Sequence, residues 1–199
     1  MQNDSVINKN KLYPVFLKLD QLNTLLVGAG NVGMEKLNSL LSNSPEARIT
    51  IIAPFIKDEV RGLLQNHSSC TLIQRSFEES DLENKDLIIL ATEDKELHKR
   101  IKSLAEGKRI LVNVADTPDL CDFYLGSIVQ KGNLKIAIST NGKSPTVAKR
   151  IREVLENSLP GEIDELLTNL HAIRSKLSGD FSEKVKQLNE LTKTLIENK

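Results

Sequence analysis

Leu25-Leu26-Val27-Gly28-Ala29-Gly30-Asn31-Val32-Gly33 is an apolar run that breaks into three glycines spaced GxGxxG. The residues before the first glycine, from Thr24, are continuously apolar and few, the signature of a buried strand. The residues after it, Asn31–Ser42, carry Val32, Leu37, Leu40 and Leu41 at helical spacing. A strand, a glycine turn and a helix in that order form a cradle for a dinucleotide. Gly28 permits the tight turn, Gly30 lets backbone approach a pyrophosphate, and Gly33 lets the helix lie close to the strand. Unpaired N–H groups and the helix dipole then favour the phosphates. Three glycines alone would also suit a strand–helix turn without a ligand, so the surroundings decide.

Outward from that motif the pattern repeats. Arg48–Ala53 is a second strand, stopped by Pro54, and Phe55–Gln65 is a helix. Thr71–Gln74 and Asp86–Ala91 are a third and a fourth strand, Asp94–Ala105 is a helix, and Ile110–Val114 is a fifth strand. Apolar strands without alternation, separated by amphipathic helices, predict a parallel sheet covered on both faces, an α/β fold of the Rossmann type. After Asp116 the pattern changes. Lys135–Ser139 is a strand preceded by a turn at Lys131-Gly132-Asn133, and Ser144-Pro145 opens a helix, with Ser as N-cap and Pro in the first helical position. That helix runs to about Ser158 and stops at Pro160-Gly161. Two charged amphipathic helices follow, Glu162–Leu177 and Ser182–Glu197, split at Gly179. The first dozen residues read as a polar tail. The expected division is 1–115, a dinucleotide-binding domain; 116–150, a small α/β segment; and 151–199, a helical region.

Candidate functional residues lie where the strands end, because the carboxyl edge of such a sheet lines the ligand crevice. The second strand ends in Ile52-Ala53-Pro54, without the Asp or Glu that usually holds the adenosine ribose of NAD, and without an arginine for a 2′-phosphate. Asp58 and Glu59 fall inside the next helix. The motif therefore does not choose between NAD and NADP, and backbone or a polar side chain must hold the ribose. Thr92 either contacts the cofactor or, with Asp94, caps a helix. Asn113 and Asp116 end the fifth strand near the place of a nicotinamide ring. Asp116 is either a general base that takes a proton as a hydride leaves, or part of an Asp-Thr-Pro-Asp turn. Ser139-Thr140-Asn141-Gly142-Lys143-Ser144 leads into a helix N-terminus suited to a carboxylate. Lys149, Arg150 and Arg152 beyond it are either part of that site or a solvated basic face. His67, His98 and His171 read as surface residues, and no cluster of His and Cys predicts a bound metal.

Composition narrows the class. The 199 residues are 39% hydrophobic and 27% charged, a soluble globular balance. The 27 bases cancel the 27 acids, so no general field draws in nucleic acid or a membrane surface. Cys70 and Cys121 form no metal spacing and read as reduced thiols. No apolar run approaches the ~20 residues of a membrane span. The polar N-terminus lacks a signal-peptide core, so the cytoplasm is expected.

Several stretches together resemble the precorrin-2 dehydrogenase family, which includes the N-terminal part of siroheme synthase. They are Tyr13-Pro14-Val15-Phe16-Leu17, Leu26–Val32, Lys36, Ala91-Thr92-Glu93-Asp94, Asn113-Val114-Ala115-Asp116, Leu120-Cys121-Asp122-Phe123-Tyr124 and Ile138–Pro145. The resemblance spans roughly residues 13–160. It implies oxidation of precorrin-2, a tetrapyrrole with eight carboxylates, to sirohydrochlorin, with NAD as acceptor. It also implies, in some members, insertion of ferrous iron to give siroheme. The family's catalytic aspartate maps onto Asp116, and its serine-rich loop onto Ser139–Ser144, with Thr140 where some members carry a phosphorylatable serine. The glycine loop (Gly28, Ala29, Gly30, Asn31, Val32, Gly33) with Thr92 and Asn113 would hold the cofactor. The family also implies a homodimer formed through the middle segment. From the length of 199 residues, the ~250-residue methyltransferase domain of the fused siroheme synthases is expected to be lacking. The competing reading is a dinucleotide-sensing regulatory module that binds without turnover.

Overall fold

The computed structural model describes residues 10–177 and 180–193. The start of the polar tail, the break at Gly179 and the last turn of the final helix lie outside the described residues. Contacts divide the chain into one unit of residues 1–125 with 141–143, and a second of residues 126–140 with 144–199.

In the first unit, β1 (Asn23–Ala29), β2 (Arg48–Ile56), β3 (Cys70–Ile73), β4 (Leu87–Leu90) and β5 (Leu111–Val114) form one parallel sheet in the order β3-β2-β1-β4-β5. The connecting helices are α1 (Asn31–Asn43), α2 (Asp58–Leu64) and α3 (Lys95–Lys108). The sheet is apolar on both faces because each face has its own helices. Leu26, Ile49, Ile51 and Ile89 meet Leu37, Leu40 and Leu41 of α1 and Val60 of α2. Leu25, Val27, Ile52, Ile88 and Leu90 meet Ile101 and Ala105 of α3. Successive strand residues point to opposite faces, so a strand buried on both sides reads as an unbroken apolar run.

Two boundaries differ from the sequence expectation. Pro54 does not stop β2, which runs on to Ile56. The ladder slips there: Val27 pairs with Ile52, but Ala29 pairs with Ile56. The missing N–H of Pro54 falls in the unpaired stretch and costs no sheet hydrogen bond. The helix expected from Phe55 therefore starts only at Asp58. The free edge of β5 is covered by Cys121–Phe123, largely through side chains imitating a strand. Asp122 N–H donates to Val112 O (2.8 Å), and Val112 N–H donates to Asp122 Oδ2 (2.9 Å). Asn113 Nδ2 donates to Phe123 O (2.8 Å), and Val114 N–H donates to Cys121 Sγ (3.2 Å). An edge so occupied is closed to pairing with another chain. Lys102 of α3 locks the strap through Asp122 Oδ1 (2.5 Å). Burial opposes the Lys102 charge, yet Asp122 and Glu106 outweigh it and raise its pKa.

The second unit contains a hairpin of β6 (Ser127–Lys131) and β7 (Leu134–Ile138), followed by α4 (Pro145–Ser158), α5 (Ile163–Lys176) and α6 (Phe181–Thr192). Only the β7 half of the hairpin was legible in the sequence, because β6 carries just Ile128 and Val129 as apolar residues. Its turn at Gly132-Asn133 is tied to α5, where Asp164 Oδ1 accepts from both the Asn133 N–H (2.6 Å) and Nδ2 (2.9 Å). Helix α4 begins as its sequence predicts, with Ser144 Oγ accepting from Val147 N–H at 3.2 Å and Pro145 in the first turn.

Candidate functional site

The carboxyl edge of the five-stranded sheet brings together the ends of β1, β2, β4 and β5. The chain turns from β1 toward β2 on one side, while β4 pairs on the other. The break in strand order therefore falls at the glycine turn, the usual ligand position in such sheets. Gly28 has φ +108°, and a Cβ there would lie 2.4 Å from the Ala91 carbonyl oxygen. A Cβ at Gly33 would lie 2.1 Å from the Gly28 carbonyl oxygen. These two glycines serve the fold. Gly30 differs, because a Cβ there would meet nothing within 4 Å. No protein atom requires a glycine at Gly30, whereas a ligand pressed against the backbone there would.

The start of α1 is also open. Gly30 offers no side-chain cap, no acid lies in the first turn, and the helical ladder opens with Met34 N–H to Gly30 O (2.9 Å). The N–H groups of Asn31, Val32 and Gly33 precede that bond and are the donors a helix leaves unpaired. This donor set, next to a vacant Cβ position, fits the pyrophosphate of a dinucleotide.

At the end of β2 the sequence reading missed Lys57. Its N–H donates to Ala29 O (3.1 Å), and its Nζ donates to Asn31 Oδ1 (2.8 Å) and pairs with Glu59 at 3.3 Å. The signal was a lysine just past the true strand end. Ending β2 at Ala53 put it out of view. Glu59 is held below the ordinary carboxylate range by a backbone hydrogen bond at the start of α2, then by Lys57.

Past β4, the capping reading of the Thr92 region holds for Asp94. Asp94 caps α3 by accepting from Leu97 N–H (2.9 Å). Thr92 Oγ1 instead faces His98 Nε2 at 2.8 Å and accepts weakly from Asp94 N–H (3.4 Å). His98 is not the surface residue expected from sequence: it is 3% exposed, because the position it takes on α3 faces the sheet. Its Nδ1 is buried without a partner. A buried, unpaired N–H is rarer than an unpaired acceptor, which places the proton on Nε2, donating to Thr92. The Thr92 hydroxyl then keeps its own hydrogen for a ligand. Burial lowers the His98 pKa, partly opposed by Asp94.

Past β5, Asp116 adopts a left-handed conformation with φ +55°. Leu90 pairs with Val114, so Thr92 and Asp116 stand at matching heights above adjacent strands. Asp116 is exposed, and among the described residues its carboxylate makes no hydrogen bond or ion pair. Asn113, expected at the cofactor, is 6% exposed and its amide is engaged with Phe123 O.

In the Ser139–Ser144 loop, Thr140 Oγ1 donates to Ser144 O (3.1 Å) and accepts from Ser144 N–H (3.2 Å). Asn141 and Gly142 take positive φ (55° and 73°), and Lys143 is exposed. The hydroxyls of Thr140 and Ser144 thus shape the loop and cap α4. On α4, Arg150 pairs with Glu153 (2.7 Å) and Arg152 with Glu156 (3.6 Å). Val147, Ile151 and Val154 form an exposed apolar line along the same helix.

Residues 15–127 match the family model described as "Putative NAD(P)-binding", and residues 131–158 match the one described as "Sirohaem biosynthesis protein central". The siroheme synthase of Vesicomyosocius okutanii is 38% identical over 173 residues, covering 87% of this chain and 35% of that protein. The siroheme synthase of Pseudoalteromonas atlantica is 37% identical over 175 residues, covering 88% and 35%. The chain spans about a third of the length of these curated relatives. The solved structure of SirC, precorrin-2 dehydrogenase, superposes with a TM-score of 0.72 at 26% identity, covering 90% of this chain and 89% of that one.

Two predictions follow from this geometry. Gly30→Asp places a carboxylate in the open cradle. It should leave the urea unfolding midpoint within experimental scatter while abolishing dinucleotide binding in a calorimetric titration. Unchanged affinity would remove the glycine loop from cofactor binding. For His98, the folded pKa lies below the unfolded value, so the unfolded chain binds the extra proton. Stability is complete above the ordinary histidine value of 6.5 and is lost as pH falls from there through the lower folded value. Urea midpoints at about pH 7.5 and about pH 5.5 should differ more in the wild type than in His98→Gln. Equal differences would mean that His98 does not carry this pH dependence.

Proposed function

The chain belongs to the NAD(P)-binding proteins of sirohaem biosynthesis, and on that premise we propose that it oxidises precorrin-2 to sirohydrochlorin with NAD as acceptor. The reaction removes a hydride and a proton from the tetrapyrrole. Bound NAD supplies the hydride acceptor. The residues of this chain bind, orient and take up the proton. The N–H groups of Asn31, Val32 and Gly33, reached across the bare Gly30, hold the pyrophosphate. Thr92, oriented by His98, offers its hydroxyl to the cofactor. Asn113 acts indirectly, by fixing Phe123 beside β5.

The observation that carries the reading is Asp116. It takes φ +55°, a left-handed conformation that aspartate tolerates and that Asn84, Arg109 and Asn141 share, so its weight comes from where it stands. Its free carboxylate stands at the carboxyl edge that also holds the glycine cradle, in the place of a general base. The loop Ser139, Thr140, Asn141, Gly142, Lys143 and Ser144 is assigned to the carboxylates of the substrate, chiefly through backbone N–H groups and Lys143. Ferrous iron is a second substrate in this reading, inserted into sirohydrochlorin to give siroheme, with the macrocycle supplying four nitrogens. The enzyme is assigned to the cytoplasm; among the described residues no helix is long and apolar enough to cross a membrane. Residues 116–150 form the dimerisation and active-site segment between the dinucleotide-binding part and the helical region. The exposed line of Val147, Ile151 and Val154 supports a homodimer, since apolar residues at i, i+4 and i+7 form one face of a helix.

Asp116→Asn isolates the charge, because asparagine tolerates the left-handed conformation as well as aspartate does. Under anaerobic conditions with precorrin-2 and NAD, the wild type should produce NADH and sirohydrochlorin in equal amounts. The variant should bind NAD normally and lose roughly 10²–10⁴ in turnover, as expected when a general base is removed. Near-normal turnover would rule out Asp116. NAD binding without turnover by the wild type would instead favour the sensor. Siroheme forming faster than in an enzyme-free control after ferrous iron is added would establish chelation. Sedimentation should show a dimer that Val147→Glu with Ile151→Glu converts to a monomer; an unchanged dimer would place the interface elsewhere.

A further inference from the structure

The adenosine half of a dinucleotide runs from the pyrophosphate at the start of α1 toward the carboxyl end of β2. In an NAD-specific site that strand end carries an acid, which holds the 2′-hydroxyl and repels a 2′-phosphate. Here the strand closes with Ala53, Pro54, Phe55 and Ile56, and the next residue is Lys57. The ammonium is not adrift in solvent. It donates to Asn31 Oδ1 at 2.8 Å, on the first residue of α1, and its own N–H is fixed to Ala29 O at 3.1 Å. A positioned cation thus follows directly on the strand end that in an NAD-specific site carries a carboxylate.

We propose that Lys57 is a specificity-determining residue that accepts the 2′-phosphate of NADP, so that this site takes NADP as well as NAD. The inference rests on the dinucleotide site described above and extends it. Glu59 competes for the same ammonium at 3.3 Å, but its side chain is 61% exposed. Exposed pairs of this kind hold weakly. A phosphate monoester brings about −1.5 to −2 charges and three acceptor oxygens, against the single charge of the carboxylate. The phosphate displaces Glu59 into solvent, and Lys57 exchanges one anion for a stronger one.

The test is calorimetric titration of the full chain with NAD and with NADP, in the wild type, Lys57→Ala, Lys57→Arg and Lys57→Glu, with circular dichroism to confirm folding. Wild type should bind NADP within about threefold of NAD or more tightly. Lys57→Ala should weaken NADP by about 10- to 100-fold, the loss of a charge-assisted hydrogen bond, and leave NAD nearly unchanged. Lys57→Arg should keep NADP, and Lys57→Glu should exclude it. Wild-type rejection of NADP with normal NAD binding overturns the role of Lys57 alone. Equal weakening of both dinucleotides by Lys57→Ala also overturns it, because the lysine would then serve the pyrophosphate. If folded wild type binds neither, the dinucleotide reading itself fails, and the inference falls with it.

Discussion

The first unit depends on the contact of α1 with the turn that follows β1. There the Gly33 backbone lies so close to the Gly28 carbonyl that even a methyl group would collide with it. Gly28 in turn lies against the Ala91 carbonyl at the end of β4. Two glycines therefore bring α1, β1 and β4 within backbone contact of one another. That closeness aims the first N–H groups of α1 at the crevice and sets Thr92 beside them. Larger residues would push the helix outward and blunt the anion site even if the strands survived.

Polar groups inside this unit are arranged to support the sheet edge. His98 is buried neutral beneath Thr92, giving up charge to burial while fixing a hydroxyl at the rim. Asn113, Cys121 and Asp122 serve the opposite edge of β5, where side chains satisfy the hydrogen bonds that a sixth strand would have made. This strap keeps an edge strand from pairing with a neighbour, and it anchors the chain just after Asp116. The aspartate stands in a left-handed turn between a buried strand and a hydrogen-bonded strap. Its position is fixed from both sides although its carboxylate is free.

The parallel sheet, its helices and the dinucleotide cradle were legible from the spacing of apolar residues and three glycines, because a strand buried on both faces and a glycine-only turn leave direct marks in sequence. Ser144-Pro145 marked the start of α4 for the same local reason. The passage of β2 through Pro54 was not legible, since it depends on a slip in pairing with β1 that puts the missing N–H where no partner waits. Strand β6 was hidden because Ile128 and Val129 alone gave no pattern, and its partner β7 defines it.

The sequence by itself determined the fold class, the cradle and the candidates Thr92 and Asp116, all of which follow from residue type and local spacing. The tertiary structure alone decided three things: that Gly30 is spared a side chain for no protein neighbour, that His98 is buried against Thr92, and that Lys57 reaches Asn31 across the end of β2. Each joins atoms from separate elements or tests the space around them. Local periodicity carries no information about such distances; the packing of strands and helices sets them.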